Sequence, residues 1–276
     1  MDLLLEMFSF TFMIRAVVVG LLVSLCASLL GVSLVLKRYA MIGTGLGNVG
    51  FASMVSATAF GLSHLALAIS MPVVVVAAFL LLRVSESSKI KGDSAVALIS
   101  ASSLAVGVII VSQTTGLTLH VCSAMFGSIL AMTQADLQLS VGLSIVVLVL
   151  FVLFYKQLFA VTYDENFAKA TGTRIQVYKS LLAILTAVTV VLGMRMMGAL
   201  LISSLIIFPA LSAIRVCKSF LSVVITSAVI SVACFFVGIV LSFGYDLPTG
   251  ASVVGINLVV FLLLSGVNLL RQGGKI

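Results

Sequence analysis

Long apolar runs separated by short polar breaks make up most of the chain. Each approaches the roughly 20 residues that a helix needs to cross a bilayer. They predict spans over residues 12–36, 41–62, 65–82, 94–114, 137–155, 181–192 with its helix starting near Ile175, 197–214, 221–243 and 251–270. A further run, 116–133, is too short with its polar flanks for a full crossing and predicts a re-entrant or surface helix on the outer side. The expectation is an all-α, polytopic membrane protein with about nine transmembrane helices plus that short helix, in a single membrane domain over residues 1–276.

One break differs from the others. Residues 162–179, TYDENFAKATGTRIQVYK, carry five charged side chains: Asp164, Glu165, Lys169, Arg174 and Lys179. Glu165, Phe167, Ala168, Lys169 and Ala170 favour helix, Asp164 can accept backbone N–H bonds at its start, and Gly172 can close its end. The stretch therefore predicts a helix of about two turns held outside the lipid. Such an element is either an ordinary solvated loop helix or a handle that a partner grips.

Composition narrows the class. Hydrophobic residues are 62% of the 276 and charged residues only 8%, against about 25% charged in a soluble domain. Nothing is left over for a soluble module. No G-x-x-x-x-G-K-[ST] run occurs, so the chain is not expected to cradle nucleotide phosphates in that way by itself. The formal charge of +7 could suggest nucleic acid, but the basic residues lie at the ends of apolar runs and read as topology instead. If Lys37 and Arg38 face the cytoplasm, alternation puts every Lys and Arg inside except Arg15 and Arg195. The amino terminus, with Asp2 and Glu6, is then outside and the carboxyl terminus cytoplasmic. The acidic start MDLLLEMF argues against a removable signal peptide. Cys26, Cys122, Cys217 and Cys234 stand singly in apolar surroundings and suggest neither disulfides nor zinc.

Candidate chemistry inside the membrane is sparse. Gly43, Gly45, Gly47 and Gly50, then Ser100 to Ser103, then Gly198, Ala199, Ser203 and Ser204 are small residues that permit close helix packing or line a path. Pro209 should kink its helix. Thr44 and Asn48, four apart, project from one helix face and could offer oxygens to an ion or bond a neighbouring helix. Asn257 and Asn268 have the same two readings. His64 and His120 fall near the outer surface, where an imidazole could ligate a transition metal. No resident cofactor is implied.

With those residues in view, the chain resembles the permease subunits of bacterial ABC transporters for zinc, manganese or iron. The resemblance spans nearly the whole chain and rests on LGVSLVLKRYAMIGTGL (30–46), FGSIL (126–130), TYDENFAKATG (162–172), MGALLISSLIIFPALSA (197–213) and YDLPTGA (245–251). It implies a bacterial inner-membrane permease that is not itself an enzyme. It also implies a second permease copy or a paralogous permease, a cytoplasmic ATPase subunit and an extracytoplasmic metal-binding protein. It makes residues 162–174 a coupling helix that docks on the ATPase through Tyr163, Asp164, Glu165, Phe167, Ala168, Lys169 and Gly172. One departure stands out: the family commonly reads G-D-x-L-S-H where this chain has Gly43, Thr44, Gly45, Leu46, Gly47 and Asn48. Neutral Thr44 and Asn48 replace an Asp and a His and are weaker ligands for such metals. The alternatives are a permease for another small substrate, or an ion-coupled secondary transporter or channel acting without an ATPase, against which stands the scarcity of membrane-embedded carboxylates.

Overall fold

The computed structural model describes residues 7, 9–62, 65–87, 92–114 and 134–273. Among them the chain forms helices joined by short turns, with no strand. In order these are α1 (Thr11–Leu36), α2 (Ile42–Ala59), α3 (Ala66–Ser87), α4 (Gly92–Gln113), α5 (Gln134–Leu153), α6 (Tyr155–Tyr163), α7 (Glu165–Ala170), α8 (Ile175–Met197), α9 (Ala199–Val216), α10 (Phe220–Tyr245) and α11 (Thr249–Gly273).

Helix α1 forms the axis of the bundle. In its most apolar window 78% of residues are buried, against 61% in α8, 50% in α9, 22% in α4 and 17% in α11. Lipid is as apolar as leucine, so helices associate through close contact and polar bonds rather than through hydrophobic burial. The sequence of α1 supplies both. Gly31 lies so close to α9 that a Cβ there would sit 2.2 Å from the carbonyl oxygen of Ile206. On another side Ser231 and Ser227 of α10 donate hydrogen bonds to the carbonyls of Ser24 (2.9 Å) and Ser28 (3.4 Å).

By length and apolar composition α1, α4, α8, α9, α10 and α11 can cross a membrane, six among the described residues, or seven if the bent pair α5 and α6 is one broken span. By that measure fewer than the about nine expected are counted among the described residues. Glycines, serines and Asn48 dilute the apolar character of α2, while α3 runs 22 residues. In the bundle α2 is nonetheless packed among α3, α4, α8 and α9. The short helix expected at 116–133 lies outside the described residues.

Two joints shape the architecture. The span expected over 137–155 breaks at Phe154, and α6 leaves α5 at 69°. Aromatic contacts fix that turn: Phe154 meets Tyr178 at 5.8 Å between ring centres, and Phe159 meets Phe220 at 4.7 Å. Leu158 and Val161 are thereby buried. The second joint is Gly198, which ends α8 and begins α9 with φ 85° and ψ 158°, a region open essentially to glycine alone. Pro209 lies buried inside α9, which stays helical from Ala199 to Val216.

Candidate functional site

The polar stretch folds into α7, six residues rather than two full turns, and both its ends are closed by its own chemistry. Asp164 is extended (φ −146°, ψ 103°), and its Oδ1 accepts from the N–H groups of Asn166 (2.9 Å) and Phe167 (3.0 Å). These are donors that the first turn of a helix leaves unpaired. At the other end Gly172 takes φ 79°, its N–H reaching Lys169 O at 3.1 Å while Thr173 N–H reaches Ala168 O at 3.0 Å. That pair of bonds is the Schellman closure.

The seven residues of the expected contact divide into two groups. Tyr163 and Phe167 are 78% and 62% exposed, and Asp164, Lys169 and Gly172 are also exposed. Ala168 is fully buried, so its methyl group lies behind this surface and not on it. Glu165 is half-exposed and turned inward: its carboxylate meets Lys37 Nζ at 3.1 Å and Lys179 Nζ at 2.7 Å. Partial burial alone would raise its pKa. The hydrogen bonds and charges of Lys179 and Lys37 outweigh that and hold the carboxyl below its ordinary value.

The two lysines lie far apart in the sequence. Lys37 caps α1, and the turn after it is closed as α7 is: Arg38 takes φ 62° and Tyr39 N–H reaches Leu34 O at 2.9 Å. A non-glycine residue in that left-handed region stores roughly 1 kcal/mol or more. Lys179 lies near the start of α8. Sequence reading takes Lys37 as a topology signal and Lys179 as one charge of the polar stretch, and the Lys37 contact, 128 residues away, has no local signature. It misses α6 too, although Phe154, Leu158 and Val161 recur at helical spacing.

In α2 the expected small face is a packing face. A Cβ on Gly43 would meet Ile206 at 2.9 Å, one on Gly45 Val96 at 2.7 Å, and one on Gly50 Met194 at 2.7 Å. Thr44 and Asn48 are half-buried on this helix. Asn48 Nδ2 donates to Ser100 Oγ of α4 at 2.7 Å, which the sequence offers only as one hydroxyl in a run of small residues. The amide orientation that bonds Ser100 leaves Asn48 Oδ1 as a remaining acceptor. Among the described residues no group of three or more His, Cys, Asp or Glu side chains comes together to hold a metal. His64 and His120 lie outside the described residues. Asn257 is buried in α11 and donates to Val253 O at 2.9 Å, along its own helix.

Comparison with known proteins extends this picture. Residues 9–268 match the family model described as the ABC 3 transport family. A manganese transport system membrane protein, MntC, of Halalkalibacterium halodurans is 26% identical over 258 residues, covering 94% of this chain and 88% of that protein. A probable iron transport system membrane protein of Haemophilus influenzae is 28% identical over 263 residues, covering 95% and 92%. Among solved structures, PsaBC from Streptococcus pneumoniae in complex with Fab has the same fold, with a TM-score of 0.83 at 24% identity over 95% of this chain and 94% of that one.

Proposed function

This chain belongs to the ABC 3 transport family, and from that footing we propose that it is the permease subunit of an ATP-driven importer whose cargo is a divalent transition metal ion, with manganese or iron favoured by its relatives' names. The whole chain serves as one membrane domain. It supplies the passage, and ATP is hydrolysed on a separate cytoplasmic ATPase. A metal-binding protein delivers cargo on the outer side, and a second permease, identical or paralogous, completes the pore. In this reading the amino terminus is outside and α7 cytoplasmic.

The observation that carries the proposal is the form of α7: a six-residue helix, capped at both ends, that holds Phe167 and Tyr163 out into solvent. Rigid aromatic side chains held out from the surface are what anchor protein contacts. Docking there lets closure of the ATPase push α7 as a unit. Asp164 and Gly172 shape the helix, while Phe167, Tyr163 and Lys169 form the surface. Thr44 and Asn48 are the pathway candidates in α2, offering neutral oxygens.

The test is metal uptake by vesicles containing this permease and its ATPase. Uptake of manganese that requires ATP, and that Phe167→Asp abolishes, is the expected result. Equal uptake without ATP would overturn it. In the same assay Thr44→Asp with Asn48→His should alter the rate or the choice among manganese, iron and zinc. An unchanged profile would remove those two positions from the path.

A further inference from the structure

Glu165 is poorly placed to face a partner and well placed to hold α7 to the bundle. Its carboxylate lies between two ammonium groups that are almost buried: the side chains of Lys37 and Lys179 are 8% and 14% exposed, against 46% for Glu165. The backbone of α7 packs against α6 and α8. The Lys37 pair extends that hold to the end of α1, the most buried helix of the bundle.

We propose that Glu165 is a positioning residue, a pin that transmits movement of α7 to α1 and α8 and through the closed turn after Lys37 to α2, which carries Thr44 and Asn48. This rests on the reading of α7 as the ATPase-docking element and assigns Glu165 to the other side of that element.

Magnitudes favour transmission over stability. The Glu165 carboxylate is half open to solvent, which weakens what the pairs add to folding, so the clamp is not needed to keep the bundle together. Two charge-assisted bonds to one carboxylate do fix geometry, because each lysine must stay within reach of a different oxygen. The path beyond Lys37 is short and stiff. The bonds from Arg38 N–H to Val35 O (3.0 Å) and from Tyr39 N–H to Leu34 O (2.9 Å) close α1, and Ile42 N–H to Tyr39 O (3.1 Å) leads into α2. A displacement at Glu165 therefore reaches the start of α2 without crossing a flexible loop. Ala168, fully buried one turn further along α7, keeps the helix seated while the carboxylate holds its direction.

The experiment compares Glu165→Gln, Lys37→Met and the double variant, each reconstituted with the ATPase, by three readouts: ATPase retained on purification, ATP hydrolysed, and manganese carried per ATP. We expect all three variants to keep the ATPase and the wild-type melting temperature. Manganese carried per ATP should fall by about fivefold in Lys37→Met, which breaks one of the two bonds, and further in Glu165→Gln, which breaks both, with the double variant no lower than Glu165→Gln because the Lys37 link is already gone there. Loss of the ATPase from Glu165→Gln would overturn the proposal by making Glu165 a docking residue. An unchanged ratio of manganese to ATP would overturn it by making the clamp an idle surface pair. Phe167→Asp serves as the separate control: it should release the ATPase, and if the ATPase stays bound the docking reading fails and this inference falls with it.

Discussion

At the residue scale, the positions that matter most are those where a side chain is missing or strained. Gly31 allows α9 to approach α1 until a Cβ would touch the Ile206 carbonyl. Backbone cannot swing aside as a flexible side chain can, so Gly31→Ala should destabilise the protein by about 1–3 kcal/mol. A lowered melting temperature in detergent would show it, and an unchanged one would mean that α1 and α9 are not so closely packed. Gly31, Gly198 and Gly172 are visible in the sequence as glycines, and the role of Gly172 is predictable because it follows a short helical stretch. That Gly31 faces a carbonyl of α9 is not, since nothing near it specifies the partner. The same holds for Asn48, whose spacing from Thr44 is legible while its bond to Ser100 depends on how α4 is placed.

At the element scale, α7 is the part read most fully in advance, because caps are local chemistry. Asp164 and Gly172 act two or three residues from their own positions, within the reach of sequence reasoning. Its attachment to α1 and α8 was not legible, since Lys37 and Lys179 resemble any other residues that mark the end of a span. That attachment carries a pH dependence. Glu165 has its carboxyl held below the ordinary range by Lys179 and Lys37 despite partial burial. A lowered folded-state pKa means that the clamp is fully present above the ordinary carboxylate range and is lost as pH falls through the folded value. Hydrogen exchange of the Ala168 to Ala170 amides, corrected for intrinsic rates, should therefore lose protection on acidification through that range, and Glu165→Gln should reduce the dependence to what the Asp164 cap contributes. Protection that stays constant down to the acid limit would show that α7 is held by other contacts.

At the scale of the whole molecule, apolar runs reveal the class and most helices but count crossings poorly. Helix α2 is rich in glycine, serine and threonine and packed by its neighbours, while α5 turns into α6 where aromatic rings at the end of the bundle bend it. Both effects are tertiary and invisible to a window of hydropathy. What unites the scales is a mechanical division: one face of α7 is open for a partner, and the opposite side is pinned to the helices that line the core. The most direct measurement puts a photo-crosslinking side chain at position 167 of the permease in intact cells. A covalent product with the ATPase, formed in high yield on irradiation and diminished by Tyr163→Asp, is the expected result; crosslinks to lipid or to an extracytoplasmic protein alone would overturn the docking of α7.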